Sequence, residues 1–173
     1  MRSGVVIFPG SNCDRDMIVA LTQITGKTPI KIWHKENDFP NLDLIVVPGG
    51  FTFGDYLRCG ALAARSPVIT SIKNHISRGG TVLGVCNGFQ ILIEAKILPG
   101  SLIRNKKLLF TCRETTLEVQ NCIKNPFLSG LKIGECLKIP VAHNEGNYFA
   151  PKELLKQLKE EGRIALKYSQ QNN

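Results

Sequence analysis

The sequence predicts an α/β fold with an open, mostly parallel sheet and helices on both faces. In the first hundred residues, short apolar segments of strand length alternate with amphipathic segments of helical length. This alternation is typical of a parallel sheet that is covered on both sides. Special loops follow three of the apolar segments, at residues 9–10, 48–50 and 86. Because ligands bind beyond the carboxyl ends of parallel strands, these loops indicate one candidate site.

Four strands and three helices can be assigned in order before residue 100. Asp14 and Asp16 place negative charge in the first turn of the first helix, where the helix dipole favours it, and Gly26 ends that helix. The predicted strands are residues 4–8, 29–33, 42–47 and 81–85. The predicted helices are one that carries Ile18, Leu21 and Ile24, one over residues 66–77, and one that follows Cys86 and stops before Pro99.

Beyond Gly100 the pattern changes to β-rich segments. They predict an antiparallel excursion from the main sheet, followed by a helix that has proline at its start. The final residues are polar and are expected to be loosely held. The predicted strands are residues 108–112, 115–119, 137–142 and 164–168, the helix is residues 151–161, and the polar tail is residues 169–173.

Length and composition favour one soluble domain over residues 1–173. The chain is 43% hydrophobic, which is enough apolar material for a substantial core. Its longest apolar runs, such as residues 42–47, are much shorter than the about 20 residues that span a bilayer. The run at residues 4–8 is too short for the apolar part of a secretory signal. We therefore expect a cytoplasmic protein that does not contact membranes.

Charge and cysteine content argue against a nucleic-acid-binding protein and against a metal-binding protein. The formal net charge of +8 is spread along the chain, so we expect a solvated surface and no nucleic-acid partner, with a basic patch for a phosphate-bearing substrate or an acidic partner as the alternative. No C-x-x-C pair occurs, so we expect no metal site and reduced thiols. The six cysteines are Cys13, Cys59, Cys86, Cys112, Cys122 and Cys136.

Cys86 is the candidate nucleophile. It lies between an apolar strand and an amphipathic helix, with Gly84 and Gly88 two positions to either side. Glycines at this spacing permit the sharp strand-to-helix turn of a nucleophile elbow. The turn also puts the sulfur at a helix N-terminus, where the dipole favours a thiolate. The alternative is a buried structural cysteine, which is the common fate of an isolated Cys.

A thiolate that attacks an acyl carbon needs hydrogen-bond donors for the oxygen that becomes negative. The N–H of Asn87, directly after the nucleophile, is one candidate. The second should come from a neighbouring loop, and the glycines after residue 48 have the freedom to turn an N–H inward. Gly50 or Phe51 is expected to supply it.

Four segments together carry a resemblance to a known family. They cover nearly the whole chain in register, and the first two are the most specific. The chain resembles the glutamine amidotransferase subunits of phosphoribosylformylglycinamidine synthase. The segments are Phe-Pro-Gly-Ser-Asn-Cys-Asp-Arg-Asp at 8–16, Gly-Gly-Phe-Thr-Phe-Gly-Asp-Tyr-Leu-Arg-Cys-Gly at 49–60, Gly-Val-Cys-Asn-Gly-Phe-Gln-Ile-Leu at 84–92, and Pro-Val-Ala-His-Asn-Glu-Gly-Asn-Tyr at 140–148, where the family usually has His-Gly-Glu-Gly.

The resemblance implies a flavodoxin-like glutaminase domain of the class I glutamine amidotransferase fold. In that family a cysteine attacks the side-chain amide of glutamine, releases ammonia and leaves a γ-glutamyl thioester that water hydrolyses. By this likeness Cys86 is the nucleophile, and Gly50 and Asn87 frame the oxyanion hole. Glutamine would be bound by Gly49, Phe51 and Gln90, and the pocket mouth or the partner contact would be shaped by Asp55, Tyr56 and Arg58.

The resemblance also implies partners. Ammonia would pass to a separate synthetase subunit, which uses ATP and Mg to make formylglycinamidine ribonucleotide in purine biosynthesis. A small third subunit is a further expected partner. No cofactor is expected in this chain itself.

One family feature is missing from these 173 residues. The family's general base is a histidine in a Pro-His-Pro-Glu segment near the C-terminus, and no such segment occurs here. We therefore expect a chain shortened at its C-terminus, without the last strands, with impaired turnover and poor stability as a lone chain. His143 and Glu145 have the His-x-Glu spacing, but in the family this upstream motif coexists with the C-terminal pair. His34 and His75 are expected to be solvated surface side chains.

Two alternatives remain open at this point. A degenerate subunit could dock on the synthetase and modulate it without catalysis. A different cysteine hydrolase could use the same elbow, but such enzymes usually bring an acidic residue to the sulfur from the first strand. Residues 8–10 occupy that strand end here and offer no carboxylate.

Overall fold

The computed structural model describes residues 1–121 and 125–169. Their contacts divide the chain into two compact units, Met1–Pro99 and Gly100–Asn173. Cys122 and most of the polar tail lie outside the described residues, and one domain over residues 1–173 stays a prediction. None of the helices in the described ranges is both long and apolar enough to cross a membrane.

The first unit contains a four-stranded parallel sheet, as predicted. Its strands lie in the order β2-β1-β3-β4, and every neighbouring pair is parallel. Val5, Val6, Val46 and Val47 are fully buried, which is expected of β-branched residues in a sheet covered on both faces. The observed strands differ from the predicted ones by one or two residues at their ends: β1 Ser3–Ile7, β2 Ile30–Trp33, β3 Leu44–Val47 and β4 Thr81–Gly84.

Helices cover both faces of this sheet, which confirms the predicted architecture. Successive strand residues point to opposite faces. Val46 of β3 packs in one cluster with Leu21 of the first helix, whereas Ile45 packs in another with Ile72 and Ile91 of the second and third helices. The helices are α1 Asp14–Thr25, α2 Val68–Ser77 and α3 Asn87–Glu94, and two short 3-10 turns span Thr52–Asp55 and Ala63–Arg65.

The first helix ends where the sequence predicts, but one residue of its predicted apolar side is exposed. Gly26 adopts the left-handed conformation (φ 68°), and its N–H donates to the carbonyl of Thr22 at 2.9 Å, which caps the helix. Leu21 is buried and Ile18 packs beside it, whereas Ile24 is 82% exposed. Ile24 lies in the last turn, beyond the part of α1 that contacts the sheet.

The prediction that His34 and His75 are solvated surface side chains is wrong. His34 is 6% exposed, its Nδ1 lies 3.1 Å from Ser66 Oγ, and its ring contacts Phe8, Trp33 and Phe53. His75 is also buried, and its Nε2 lies 3.1 Å from the carbonyl oxygen of Thr81. The partner of His34 is 32 residues away in sequence and that of His75 only six, so folding buries one ring by a distant contact and the other by a nearby one.

The second unit is antiparallel, as predicted, but its strands are arranged differently. One sheet has the order β7-β6-β9 and the other pairs β5 with β8. The prediction of a strand over residues 108–112 is mostly wrong, because Leu108 has φ 55° and pairing with the neighbouring strand begins at Thr111. The elements are β5 Ser101–Ile103, β6 Thr111–Val119, β7 Cys136–His143, β8 Asn147–Phe149, α4 Lys152–Glu160 and β9 Leu166–Tyr168. The three-residue strands β5 and β8 were not predicted.

Replacing Gly88 by alanine should destabilise the first unit. A Cβ at Gly88 would lie 1.9 Å from the carbonyl oxygen of Val47, so α3 would have to move away from β3. We expect Gly88→Ala to cost about 3 kcal/mol, at the upper end for overpacking. Urea denaturation of the full chain measures this. Gly130→Ala is the control, because a Cβ there meets nothing within 4 Å. Equal midpoints for the two variants would contradict the close contact.

Candidate active site

Cys86 lies on a tight turn between β4 and α3, where the sequence predicts an elbow. The N–H of Gly88 donates to the carbonyl of Val85 at 2.8 Å, and Cys86 has φ 53° and ψ −114°. These angles are close to those of the first central residue of a type II′ turn, a position that usually holds glycine. A non-glycine residue there costs on the order of 1–3 kcal/mol, and such strain concentrates at functional sites. The cysteine is exposed, so the structural alternative of a buried thiol is wrong.

The start of α3 leaves the backbone N–H that directly follows Cys86 without a hydrogen bond to any described residue. The N–H groups of Phe89 and Gln90 both donate to the carbonyl of Cys86, at 3.0 and 3.2 Å. Among the described residues, the N–H of Asn87 makes no such bond. This leaves one donor directly after the nucleophile, at the helix end where the dipole favours negative charge.

The loop after β3 faces Cys86 from the opposite side. A Cβ at Gly49 would lie only 3.2 Å from Cys86 Cβ. The carbonyl of Gly49 accepts from the N–H of Cys13 at 3.3 Å. Because C=O and N–H point in opposite directions in a planar trans peptide, this bond turns the N–H of Gly50 away from Cys13.

Gly50 is the better of the two predicted second donors. Its N–H makes no hydrogen bond within the described ranges, whereas the N–H of Phe51 donates to the carbonyl of Gly10 at 2.9 Å. The prediction that Phe51 could supply the second N–H is therefore wrong. Gly50 itself requires glycine, because it has φ 137° and a Cβ there would lie 2.4 Å from the backbone nitrogen of Asn12. The Phe51 side chain is 55% exposed, and its contact with glutamine stays a prediction.

The side chain of Asn87 joins the elbow to the loop at 52–55, which sequence reasoning missed. It is 1% exposed. Its Oδ1 accepts from the N–H and the hydroxyl of Thr52, at 3.2 and 2.7 Å. Its Nδ2 donates to Asp55 Oδ1 at 3.2 Å and to Gln90 Oε1 at 2.9 Å. A polar residue directly after the nucleophile, at the buried start of a helix, is the sequence signal that could have indicated this network.

Three residues predicted for the glutamine pocket or its mouth have partners in this region. Gln90 is half-buried, and its amide oxygen is held by Asn87. Asp55 is held by the same amide, and Arg58 forms an ion pair with Glu94. Tyr56 is instead 71% exposed. The structure brings Gln90 and Asp55 to the elbow, and their contact with substrate stays a prediction.

The loop around Asp55 has an unusual backbone. Phe53, Asp55 and Leu57 all have φ between 53° and 71° without being glycine. Each such residue is strained, and surrounding contacts must hold it. The N–H of Phe53 donates to the carbonyl of Pro9 at 2.7 Å, and its ring packs edge-on against His34 at 5.4 Å. The loop is thus held by the segment after β1, by the buried histidine and by Asn87.

His143 lies in the second unit and is held by a buried asparagine. Asn105 is 1% exposed, and its Oδ1 lies 2.9 Å from His143 Nδ1. The same Oδ1 accepts from the N–H of Gly146, while its Nδ2 donates to the carbonyl of His143. An amide oxygen only accepts, so Nδ1 carries the proton and Nε2 is left as an acceptor. Desolvation lowers the pKa of His143, and Arg113 lowers it further, which favours the neutral ring.

Comparison with known proteins decides the family. The family model for the CobB/CobQ-like glutamine amidotransferase domain matches residues 1–173. The chain belongs to this family. It is 51% identical over 174 residues to phosphoribosylformylglycinamidine synthase subunit PurQ of Brucella suis biovar 1 (strain 1330) and 52% identical to the same subunit of Zymomonas mobilis subsp. mobilis, covering 100% of this chain and 78% of each relative.

A solved structure agrees with the sequence relatives of this amidotransferase. The structure of PurLQS from Thermotoga maritima matches with a TM-score of 0.87 and 38% identity, covering 99% of this chain and 76% of that chain. The resemblance drawn from the four sequence segments is therefore confirmed, and so is the predicted α/β glutamine amidotransferase fold. The chain spans about four-fifths of the length of these relatives. The roles of the individual site residues stay predictions.

Removing the Asn87 side chain should loosen the amidotransferase elbow. Asn87→Ala leaves Thr52 and Asp55 without their buried partner, at a cost of about 2–3 kcal/mol. We also expect faster hydrogen exchange at the amide of Thr52, whose N–H donates to Asn87. Hydrogen-exchange mass spectrometry and urea denaturation measure both effects. Asn74→Ala, on the exposed side of α2, is the control. Unchanged exchange in Asn87→Ala would show that the network does not hold the loop.

The ring of His143 should titrate below its ordinary pKa of about 6.5, because desolvation opposes its charged form. Arg113→Gln removes the smaller, electrostatic contribution and should raise that pKa. In the parent chain, the unfolded state binds a proton at His143 more readily than the folded state does. The free energy of unfolding should therefore fall as the pH drops below about 6.5. NMR titration of the ring protons, assigned with His143→Gln, checks the shift. A pKa of His143 at or above the ordinary value would refute it.

Proposed function

We propose that this chain is the glutaminase subunit of a phosphoribosylformylglycinamidine synthase. The observation that carries the proposal is an exposed Cys86 on a strained turn. Among the described residues, the N–H of Asn87, the next residue, and the N–H of Gly50, in the neighbouring loop, make no hydrogen bond. Membership in a glutamine amidotransferase family, with relatives named as subunits of that synthase, supports the choice of substrate and complex.

The geometry supports thioester chemistry on a carboxamide. The Cys86 thiolate attacks the side-chain carbonyl carbon of glutamine, and the carbonyl oxygen becomes an oxyanion. The N–H groups of Asn87 and Gly50 stabilise that oxygen. The C–N bond then breaks, the nitrogen takes a proton and leaves as ammonia, and a γ-glutamyl thioester remains. Water adds to the thioester, releases glutamate and restores the thiol.

The leaving nitrogen must take a proton from a donor near Cys86. Within Met1–Pro99, His34 and His75 are buried and bonded to Ser66 and Thr81. Neither ring is therefore placed to serve Cys86. For these 173 residues taken alone we propose fast formation of the thioester but slow turnover. No cofactor or metal takes part in these steps.

The proposed partner is the synthetase that uses the ammonia. It would consume ATP with Mg, and a small third subunit would complete the complex. The named relatives and the match to the PurLQS structure support these partners. The second candidate function is a docking or regulatory subunit without catalysis. The observation that favours this second function is that His34 and His75 are buried and hydrogen-bonded to Ser66 and Thr81.

A diazoketone analogue of glutamine should alkylate Cys86 in the full chain. The exposed sulfur and the nearby N–H groups of Asn87 and Gly50 should direct the reagent to this residue. Intact mass and peptide mapping measure one adduct, on the peptide that contains Cys86. Cys86→Ala should lose the adduct, whereas Cys112→Ala, which removes another exposed thiol, should keep it. Labelling elsewhere with Cys86 unmodified would overturn the glutaminase proposal. Binding to the synthetase without labelling would favour the docking function.

Gly50→Ala should slow thioester formation with little effect on glutamine affinity. The new Cβ would press on the backbone of Asn12, so the donor N–H would move. Losing one such donor typically costs about 100-fold to 1,000-fold in rate. Single-turnover ammonia release measures the step. Gly54→Ala is the control, since Gly54 also has a positive φ (67°) but a Cβ there meets nothing within 4 Å. Equal rates for the two variants would remove Gly50 from the oxyanion hole.

A further inference from the structure

Two exposed cysteines border one small gap in the first unit. Cys13 lies at the end of the loop after β1, just before α1, and Cys86 lies on the elbow. An atom at the Cβ position of Gly49 would lie 3.2 Å from Cys86 Cβ and 3.6 Å from Cys13 Sγ. One side-chain atom of each cysteine therefore lies within 4 Å of the same point.

The lack of a side chain at Gly49 keeps this gap open. The N–H of Cys13 donates to the carbonyl of Gly49 at 3.3 Å, which holds the loop after β1 against the loop after β3. The carbonyl oxygen of Val85 lies 3.7 Å from the same Cβ position, so the β4 end borders the gap as well. Any residue other than glycine would place a carbon within 4 Å of both cysteines.

We propose that Cys13 and Cys86 form a reversible disulfide when the protein meets hydrogen peroxide. This bond would take the nucleophile out of action and protect it from further oxidation. Disulfide formation draws the sulfurs to about 2.05 Å and the Cβ atoms to about 3.8 Å. Because both cysteines lie within 4 Å of the Cβ position of Gly49, a closing movement of their side chains and of the loop can bring the sulfurs together.

The chemistry balances with peroxide as the two-electron oxidant. The Cys86 thiolate attacks one peroxide oxygen, the O–O bond breaks, and the departing hydroxide takes a proton to become water. This leaves a sulfenic acid on Cys86. The sulfur of Cys13 then attacks the Cys86 sulfur, and the S–O bond breaks. The departing hydroxide takes the Cys13 proton as a second water.

The surroundings give the two cysteines different roles. Partial desolvation raises the pKa of Cys13, and the charges of Asp16, Cys86 and Asp14 raise it further, so Cys13 stays a thiol to higher pH. A thiol reacts slowly with peroxide. Cys13 therefore suits the second step, as the resolving thiol, and Cys86, on the exposed elbow, suits the first.

The test uses the full chain, treated with hydrogen peroxide, blocked with an alkylating reagent and digested with trypsin without reduction. We expect a crosslink between residues 3–15, which contain Cys13, and residues 79–96, which contain Cys86. Dithiothreitol should remove it. A crosslink to another cysteine, or none together with sulfinic acid on Cys86, would overturn the proposal.

Two variants sharpen the result. Cys13→Ser should lose the crosslink and convert Cys86 to the sulfinic acid instead, whereas Cys59→Ser should keep the crosslink. Equal rates of sulfinic acid formation in the parent chain and in Cys13→Ser would also overturn the proposal. The readout is independent of glutamine. A chain that forms the crosslink but does not react with the glutamine analogue would refute only the proposed function.

Discussion

The contact between Gly88 and the end of β3 is the constraint on which the rest of the first unit depends. Because Gly88 has no side chain, the first turn of α3 lies directly against the carbonyl of Val47. The same carbonyl accepts from the N–H of Val85 at 3.0 Å. Because Val85 and Gly88 are both held against Val47, Cys86, which lies between them, adopts φ 53°. The position of Cys86 is therefore set by backbone packing, before any side-chain interaction.

The buried amide of Asn87 extends this rigidity to a second loop. A fully buried side-chain amide must satisfy its donors and acceptor, and Asn87 does so with Thr52, Asp55 and Gln90. Three of the four bonds run to the loop at 52–55. That loop contains strained left-handed residues that local sequence would not hold in place. The elbow and the loop thus form one polar unit next to Cys86.

The sequence predicted the sheet of the first unit and the elbow because both depend on local patterns. Apolar runs mark the buried parallel strands, and two glycines beside Cys86 mark the turn. The sequence prediction failed where contacts formed only in the folded chain decide the outcome. His34 and His75 look polar locally, yet Ser66 and Thr81 give them buried partners. The strands β5 and β8 have three residues each, which is too short for an alternating pattern to stand out.

The left-handed backbone at Cys86 implies a conflict between stability and chemistry. At φ 53° and ψ −114° a glycine would be relaxed, whereas any side chain is disfavoured. The protein thus keeps a sulfur at a place where a residue with no side chain would give a more stable fold. Cys86→Gly would gain folding free energy while losing the thiol. Variants selected only for heat resistance would drift toward this inert form.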